Sequence, residues 1–186
     1  MYKTGIFLIS ILLLSGALPA KSTLDTVKSD KIEENQKAHP FTLVTVKRRY
    51  KSLKKIRTIN KDKKIFLIFF TTSCKYCSKE RGKIIEMAKK DLNIIPVFIA
   101  VRNPKDETIT EFTSSLKEII KNENITYDIY MDLYSAVAKF YDVKKGTSIS
   151  VPKLFIIDSN TGNVIKTISG YEKNLEEIYE NLKQKN

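Results

Sequence analysis

The sequence holds two cysteines, Cys74 and Cys77, three positions apart. Thiols at that spacing face each other across one helical turn, where they can close and reopen a disulfide, so their natural chemistry is thiol–disulfide exchange. Three other uses compete with it. A structural zinc site takes four ligands, and beyond the pair the chain offers only His39, which reads as an ordinary surface residue, and carboxylates. No metal site is therefore expected. A static disulfide is a second use, although closing so short a loop restricts the unfolded chain little. Cu(I), which accepts two thiolates, is a third.

The flanking residues decide what positions the sulfurs. Ile65 to Phe70 is an apolar run rich in β-branched and aromatic residues, preceded by the charged turn Asn60 to Lys64. It predicts a strand buried on both faces, as in a parallel or mixed sheet covered by helices. Ile84, Ile85 and Ala88 then recur at helical spacing, with Cys77 seven residues before Ile84 on the same stripe. A helix is expected to start near Cys74 and to turn Cys77 inward. The unpaired N–H groups and positive dipole end of that helix favour a thiolate, lowering the Cys74 pKa below the free value of about 8.5. Lys75 adds a positive charge beside it. Cys74 is thus expected to be the exposed nucleophile and Cys77 the resolving thiol, with Tyr76 as an aromatic rim for substrate. Glu80, one turn beyond Cys77, carries two readings. If buried, it exchanges a proton with Cys77; if exposed, it pairs with Lys79 or Lys83.

Strand, Cys-x-x-Cys and helix together resemble the thioredoxin superfamily. Glu80, three residues after the second cysteine, resembles the glutamate of its extracytoplasmic branch, the cytochrome c maturation thioredoxins of the ResA and TlpA type. Val151-Pro152, ahead of the apolar run Leu154 to Ile157, resembles the family's cis-proline loop, which faces the dithiol and pairs with substrate backbone. The resemblance implies a thioredoxin-like α/β fold with a central mixed sheet, an N-terminal β-hairpin and a central insertion. It also implies that no cofactor is needed beyond the redox-active Cys74–Cys77 pair, and that Val151 and Pro152 join Lys75 and Tyr76 in holding substrate. This chain departs from the family in lacking a tryptophan before Cys74, in the Lys75-Tyr76 pair, and in Gly82, which stands where a helix-kinking proline is usual. The direction of electron flow stays open. The resemblance favours a reductant of disulfides in exported proteins such as apocytochrome c, whereas Lys75 and the valine before Pro152 lean toward a thiol oxidase. A non-catalytic binding module on the same fold also remains open.

The rest of the chain is read around this core. At 186 residues and 42% hydrophobic content it can bury one good core, so one domain is expected. Residues 1–20 have Lys3, an apolar run from Ile6 to Leu14 and small residues ending at Ala20, the form of a secretory signal, cleaved after Ala17 or Ala20 rather than kept as an anchor. Residues 21–40 read as a polar arm and 41–186 as the folded domain. Phe41 to Val46 alternates as a strand, with Tyr50 to Ile59 completing the hairpin. Ile94 to Val101 is a further parallel strand and Ile109 to Ile120 an amphipathic helix capped by Thr108 or Asp106. Ile125 to Met131 is expected as a strand and Asp132 to Tyr141 as a helix with Leu133 and Phe140 in its apolar face. Leu154 to Ile157 and Val164 to Ile168 form a hairpin about an Asp158 to Asn163 turn, and Leu175 to Leu182 forms a closing helix.

The formal net charge is +12. Such a balance favours an acidic protein or an anionic membrane surface. Nucleic acid is excluded as the better partner, because the lysines are spread over every expected helix among many glutamates and no nucleic-acid motif accompanies them. Export places the dithiol outside the cytoplasm, where a reductant needs electrons delivered across the membrane and an oxidant needs reoxidation. A membrane electron-transfer partner is therefore implied beside the protein thiol or disulfide substrates.

Overall fold

The protein is described by a computed structural model that covers residues 34–184; the expected signal at residues 1–20 and most of the arm lie outside the described residues. A seven-stranded sheet has the order β2-β1-β5-β4-β3-β8-β9. Its strands are β1 (Thr42–Thr45), β2 (Tyr50–Ser52), β3 (Lys64–Phe70), β4 (Ile94–Val101), β5 (Ile129–Asp132), β8 (Lys153–Asp158) and β9 (Val164–Ser169). Strands β3, β4 and β5 run parallel, and β8 pairs antiparallel to β3. The short pair β6 (Lys144–Lys145) and β7 (Ser148–Ile149) stands apart from the sheet.

Strand β3 lies inside the sheet, between β4 and β8, because its side chains are apolar on both faces, and each face meets its own core. Phe66, Ile68 and Phe70 pack with α2 (Lys75–Lys90), α3 (Ile109–Asn122) and α5 (Leu175–Gln184). Ile65, Leu67 and Phe69 pack with α1 (Leu53–Ile59), α4 (Ala136–Phe140) and Tyr141. Helices α2 and α3 share one face because both connect parallel strands laid down in the same direction, and right-handed crossovers put both on that side. All six residues from Ile65 to Phe70 are fully buried, and each contributes about 1.5–3 kcal/mol of transfer free energy.

Several elements differ from the expectation. The Tyr50 to Ile59 arm of the hairpin is only three residues of strand, followed by α1, whose start is fixed by the Ser52 hydroxyl accepting the Lys55 N–H. Helix α3 has the full capping box of Thr108 and Glu111, but Ile109 is exposed because it sits ahead of the buried stripe of Phe112 and Leu116. Asp132 ends β5 rather than opening the next helix. Its buried carboxylate accepts the N–H groups of Ala136 and Ala138 and so caps α4, which is short and leaves Phe140 exposed. Burial pushes the Asp132 carboxyl up, against these N–H groups. The end of the arm is pinned, with Asn35 and Ala38 donating to Val164 and Gly162. His39 is half-buried against Phe140 and Tyr141, and its carbonyl accepts the Tyr141 hydroxyl.

The β8–β9 turn is braced at the far end of β3. Gly162 has φ +75°, and a Cβ there would run into the Arg57 guanidinium, which is bound to the Ser159 and Asn160 carbonyls. Burial alone would raise the Asp158 pKa, yet Lys64 at 2.7 Å and the N–H and hydroxyl of Thr161 bring it down to about 2. A depressed carboxylate pKa stabilises the fold above its unfolded value and loses that contribution as pH falls through the folded one. Lys64→Met is therefore expected to cost roughly 1 kcal/mol at pH 7, discounted for partial exposure. The difference from the parent should vanish between pH 4 and pH 2 in urea titrations.

Candidate functional site

The cysteines sit where β3 ends and α2 begins. Cys74 is the N-cap of α2 and its sulfur accepts the Cys77 N–H at 3.2 Å. The two are joined in a disulfide with Cα atoms 5.3 Å apart. Cys74 is half-buried while Cys77 is fully buried, because the apolar stripe of α2 that packs on Phe70 passes through Cys77, Ile84 and Ala88. Gly82 faces open space on the outer side of the helix.

The proline bend lies at the same end of the sheet. Lys153 pairs with Phe69 in antiparallel register, so Pro152 falls beside the end of β3, next to the loop that carries Cys74. The Val151–Pro152 peptide bond is cis. The Pro152 carbonyl accepts the Gly170 N–H at 2.8 Å, whereas no hydrogen bond among the described residues engages the Val151 backbone. That edge is free to take an extended chain.

Lys75 and Tyr76, the two residues between the cysteines, are both exposed. The Tyr76 ring is stacked on Tyr171 with centroids 6.4 Å apart. Glu80 is fully buried, which overturns its reading as a surface glutamate paired with Lys79 or Lys83. Its Oε2 accepts the Glu172 N–H at 3.3 Å, and its Oε1 has no partner among the described residues. Burial pushes its carboxyl above the usual range, and the Glu172 N–H and the positive charge of Lys83 only partly offset this.

The structure also brings in groups the sequence reading passed over. The Thr72 hydroxyl donates to the Glu107 carboxylate, across a groove of about 340 Å³ that also meets Ser73, Asp106 and Ile149. Burial raises the Glu107 carboxyl as well, more than the Thr72 hydroxyl lowers it. Beneath the loop, Arg81 is buried and bound to Glu123, with its guanidinium 4.3 Å from the Phe70 ring centroid. Of the basic stretch Lys47 to Lys64, close to the cysteines in sequence, Lys64 opens β3 six residues before Phe70, about 20 Å away at some 3.3 Å per residue. Lys47, Arg49 and Lys51 belong to the β1–β2 hairpin, which β5 and β4 separate from β3, and surround Asp128. Among the described residues no group of histidine, cysteine and acidic side chains is arranged to hold a metal ion.

Comparison with known proteins places these features. A family model described as the AhpC/TSA family matches residues 35–167. The thiol-disulfide oxidoreductases ResA of Bacillus thuringiensis subsp. konkukian and of Bacillus cereus are each 29% identical over 157 residues, covering 84% of this chain and 81% of theirs. Among solved structures, a putative thiol:disulfide interchange protein DsbE from Chlorobium tepidum superposes with TM-score 0.64 at 18% identity, covering 81% of this chain and 95% of that one. The thioredoxin domain of a thiol-disulfide oxidoreductase from Bacteroides vulgatus gives 0.62 at 16%, covering 82% and 99%. The thioredoxin-like fold expected from the motif is the fold of this chain.

Proposed function

Because the chain belongs to the AhpC/TSA family, we propose that this thiol-disulfide oxidoreductase acts outside the cytoplasm and reduces disulfides in exported polypeptides, apocytochrome c being the substrate the resemblance names. The observation that carries the reading is the asymmetric pair: a half-exposed Cys74 and a buried Cys77, with a buried carboxyl one turn on and a cis-proline bend beside them. ResA relatives along most of the chain support it.

In the reaction, the Cys74 thiolate attacks a substrate disulfide, forming a mixed disulfide and releasing one substrate thiolate. Cys77 then gives its proton to Glu80 and attacks the Cys74 sulfur. The Cys74–Cys77 bond closes, the second substrate thiolate leaves and takes up the proton, and two electrons have passed to the substrate. The backbone of Val151, fixed by Pro152, holds the substrate chain, with Lys75 and Tyr76 as its rim. The pair itself is the redox group and no other cofactor is required. A thiol partner at the membrane restores the dithiol, export is directed by residues 1–20, and the basic surface suits an acidic partner or an anionic membrane rather than nucleic acid. Among the described residues no helix is long and apolar enough to cross a membrane.

The exposed charge of Lys75 beside Cys74 favours the second reading, a thiol oxidase, because stabilising the thiolate makes the disulfide more oxidising. The reduction potential separates the two. A value at or below about −230 mV supports the reductant and one near about −120 mV the oxidase.

Glu80→Gln tests the proton step. It should slow closure of the Cys74–Cys77 bond by about 100-fold in stopped-flow traces. Because the base must be ionised, the parent should fall toward the variant as pH drops through the raised Glu80 pKa. Burying an ionised carboxyl also costs stability, so the parent loses stability as pH rises from the unfolded pKa through the folded one. The glutamine variant should be slower yet more stable at neutral pH.

A further inference from the structure

The segment Gly170 to Asn174, which links β9 to α5, reaches three parts of the site at once. The Gly170 N–H binds the Pro152 carbonyl, the Tyr171 ring backs Tyr76, and the Glu172 N–H donates to Glu80. Besides Glu80, one further side chain of α2 fastens this segment to the helix by hydrogen bonds among the described residues. Lys83, one turn after Glu80, donates to the carbonyls of Glu172 at 3.0 Å and Lys173 at 2.6 Å. Its Nζ also lies 5.3 Å from the centroid of the Tyr171 ring.

We infer that Lys83 is a positioning residue of the site, tying the 170–174 segment to helix α2 so that the Glu172 N–H stays on Glu80 while Tyr171 stays behind Tyr76. The inference rests on the proposed role of Glu80 in moving the Cys77 proton. The geometry is unusual for a surface lysine. The ammonium group spends its donors on two backbone carbonyls instead of a carboxylate, and no ion pair of Lys83 occurs among the described residues. It therefore acts on Glu80 in two ways of the same sign. It holds in place the only hydrogen bond the carboxylate accepts among the described residues, and it supplies the nearby positive charge. The charged groups that act on Glu80 are Lys83 on its own helix and Glu172 from the 170–174 segment. The Glu172 carboxylate opposes ionisation of Glu80, while its N–H favours it. Loosening the segment removes the N–H and leaves the burial, so Glu80 should become harder to ionise.

The test is a carbon-13 NMR titration of the Glu80 carboxyl in the full chain with its disulfide closed, assigned by difference with Glu80→Gln. Lys83→Met should raise the Glu80 midpoint by about one pH unit. Lys83→Arg, which keeps the charge and donors, should return it most of the way to the parent value. Lys79→Met removes the same charge from the same helix without touching the 170–174 segment, and should leave the midpoint in place. A lysine that merely stabilised the fold would lower the melting temperature in Lys83→Met without moving the midpoint. The inference is overturned if the midpoint stays put in Lys83→Met, or moves equally in Lys79→Met. Failure of the proton-transfer reading looks different: Glu80→Gln would then close the disulfide at the parent rate, whatever Lys83 does to the Glu80 titration.

Discussion

Cys77→Ala should convert the protein from a turnover catalyst into a covalent trap. With Cys77 gone, Cys74 still reacts with a substrate disulfide, but no second thiol is in place to attack the mixed disulfide that results. Adducts should persist until an external thiol is added, and they should run as higher-mass bands on non-reducing gels that collapse on reduction. Cys74→Ser should behave oppositely. Cys77 is fully buried beneath the first turn of α2, so the thiol left behind cannot reach a polypeptide, and exchange should fall to the uncatalysed background with no adducts. The asymmetry between the two variants is the content of the prediction. Equal trapping by both would mean that Cys77 is as accessible as Cys74, and full activity of Cys74→Ser in a disulfide-reduction assay would remove the proposed nucleophile. Both variants lack the disulfide, which closes a very short loop, so neither loss is attributable to unfolding.

Much of this site was legible because its local signals agree with the fold. The apolar run before the cysteines is buried on both faces as its composition demands, and β4 occupies Ile94–Val101 as expected. The α2 stripe was only half read. Cys77, Ile84, Ile85 and Ala88 mark it by their apolarity, but the same spacing also passes through Glu80 and Arg81, and both are buried. Polarity left Glu80 between two readings and hid Arg81 altogether. Helix α1 was hidden the same way: Ser52 followed by Leu53 and Ile56 is a cap and a two-residue apolar face, embedded in a stretch so basic that its pattern was lost. Other features had no local signal. The Thr72–Glu107 contact and the hold of Lys83 on residues 172 and 173 join groups far apart in sequence. They exist only once the sheet order has brought the loops after β3, β4 and β9 to one end. The same topology sets the basic hairpin at the edge of the sheet, with β5 and β4 between it and β3.

The largest effect on stability should come from Glu123, which no reading of the motif singles out. Arg81 is buried beneath the site, with its Nε donating to Glu123 at 3.0 Å, its Nη2 donating to the other carboxylate oxygen, and its Nη1 without a partner among the described residues. Such a pair is far more costly to halve than to remove. Glu123→Ala leaves a cation held only by the Phe70 ring and cut off from water, a loss of about 3 kcal/mol, at the low end for buried pairs because Glu123 is partly solvated. For a chain of this size that corresponds to a drop of roughly 6–12 °C in melting temperature. Arg81→Met should lie within about 1 kcal/mol of the parent, since it removes the orphaned Nη1 and keeps an unbranched chain on Phe70, while Glu123 turns to solvent. The double variant should recover most of the Glu123→Ala loss, a coupling of about 2 kcal/mol in a thermal or urea cycle. Additive losses would mean that the cation is hydrated after all. Because Phe70 is the last residue of β3 before the Cys74 loop, the Glu123→Ala variant should also loosen the support of the nucleophile, and its exchange rate should fall before the fold melts.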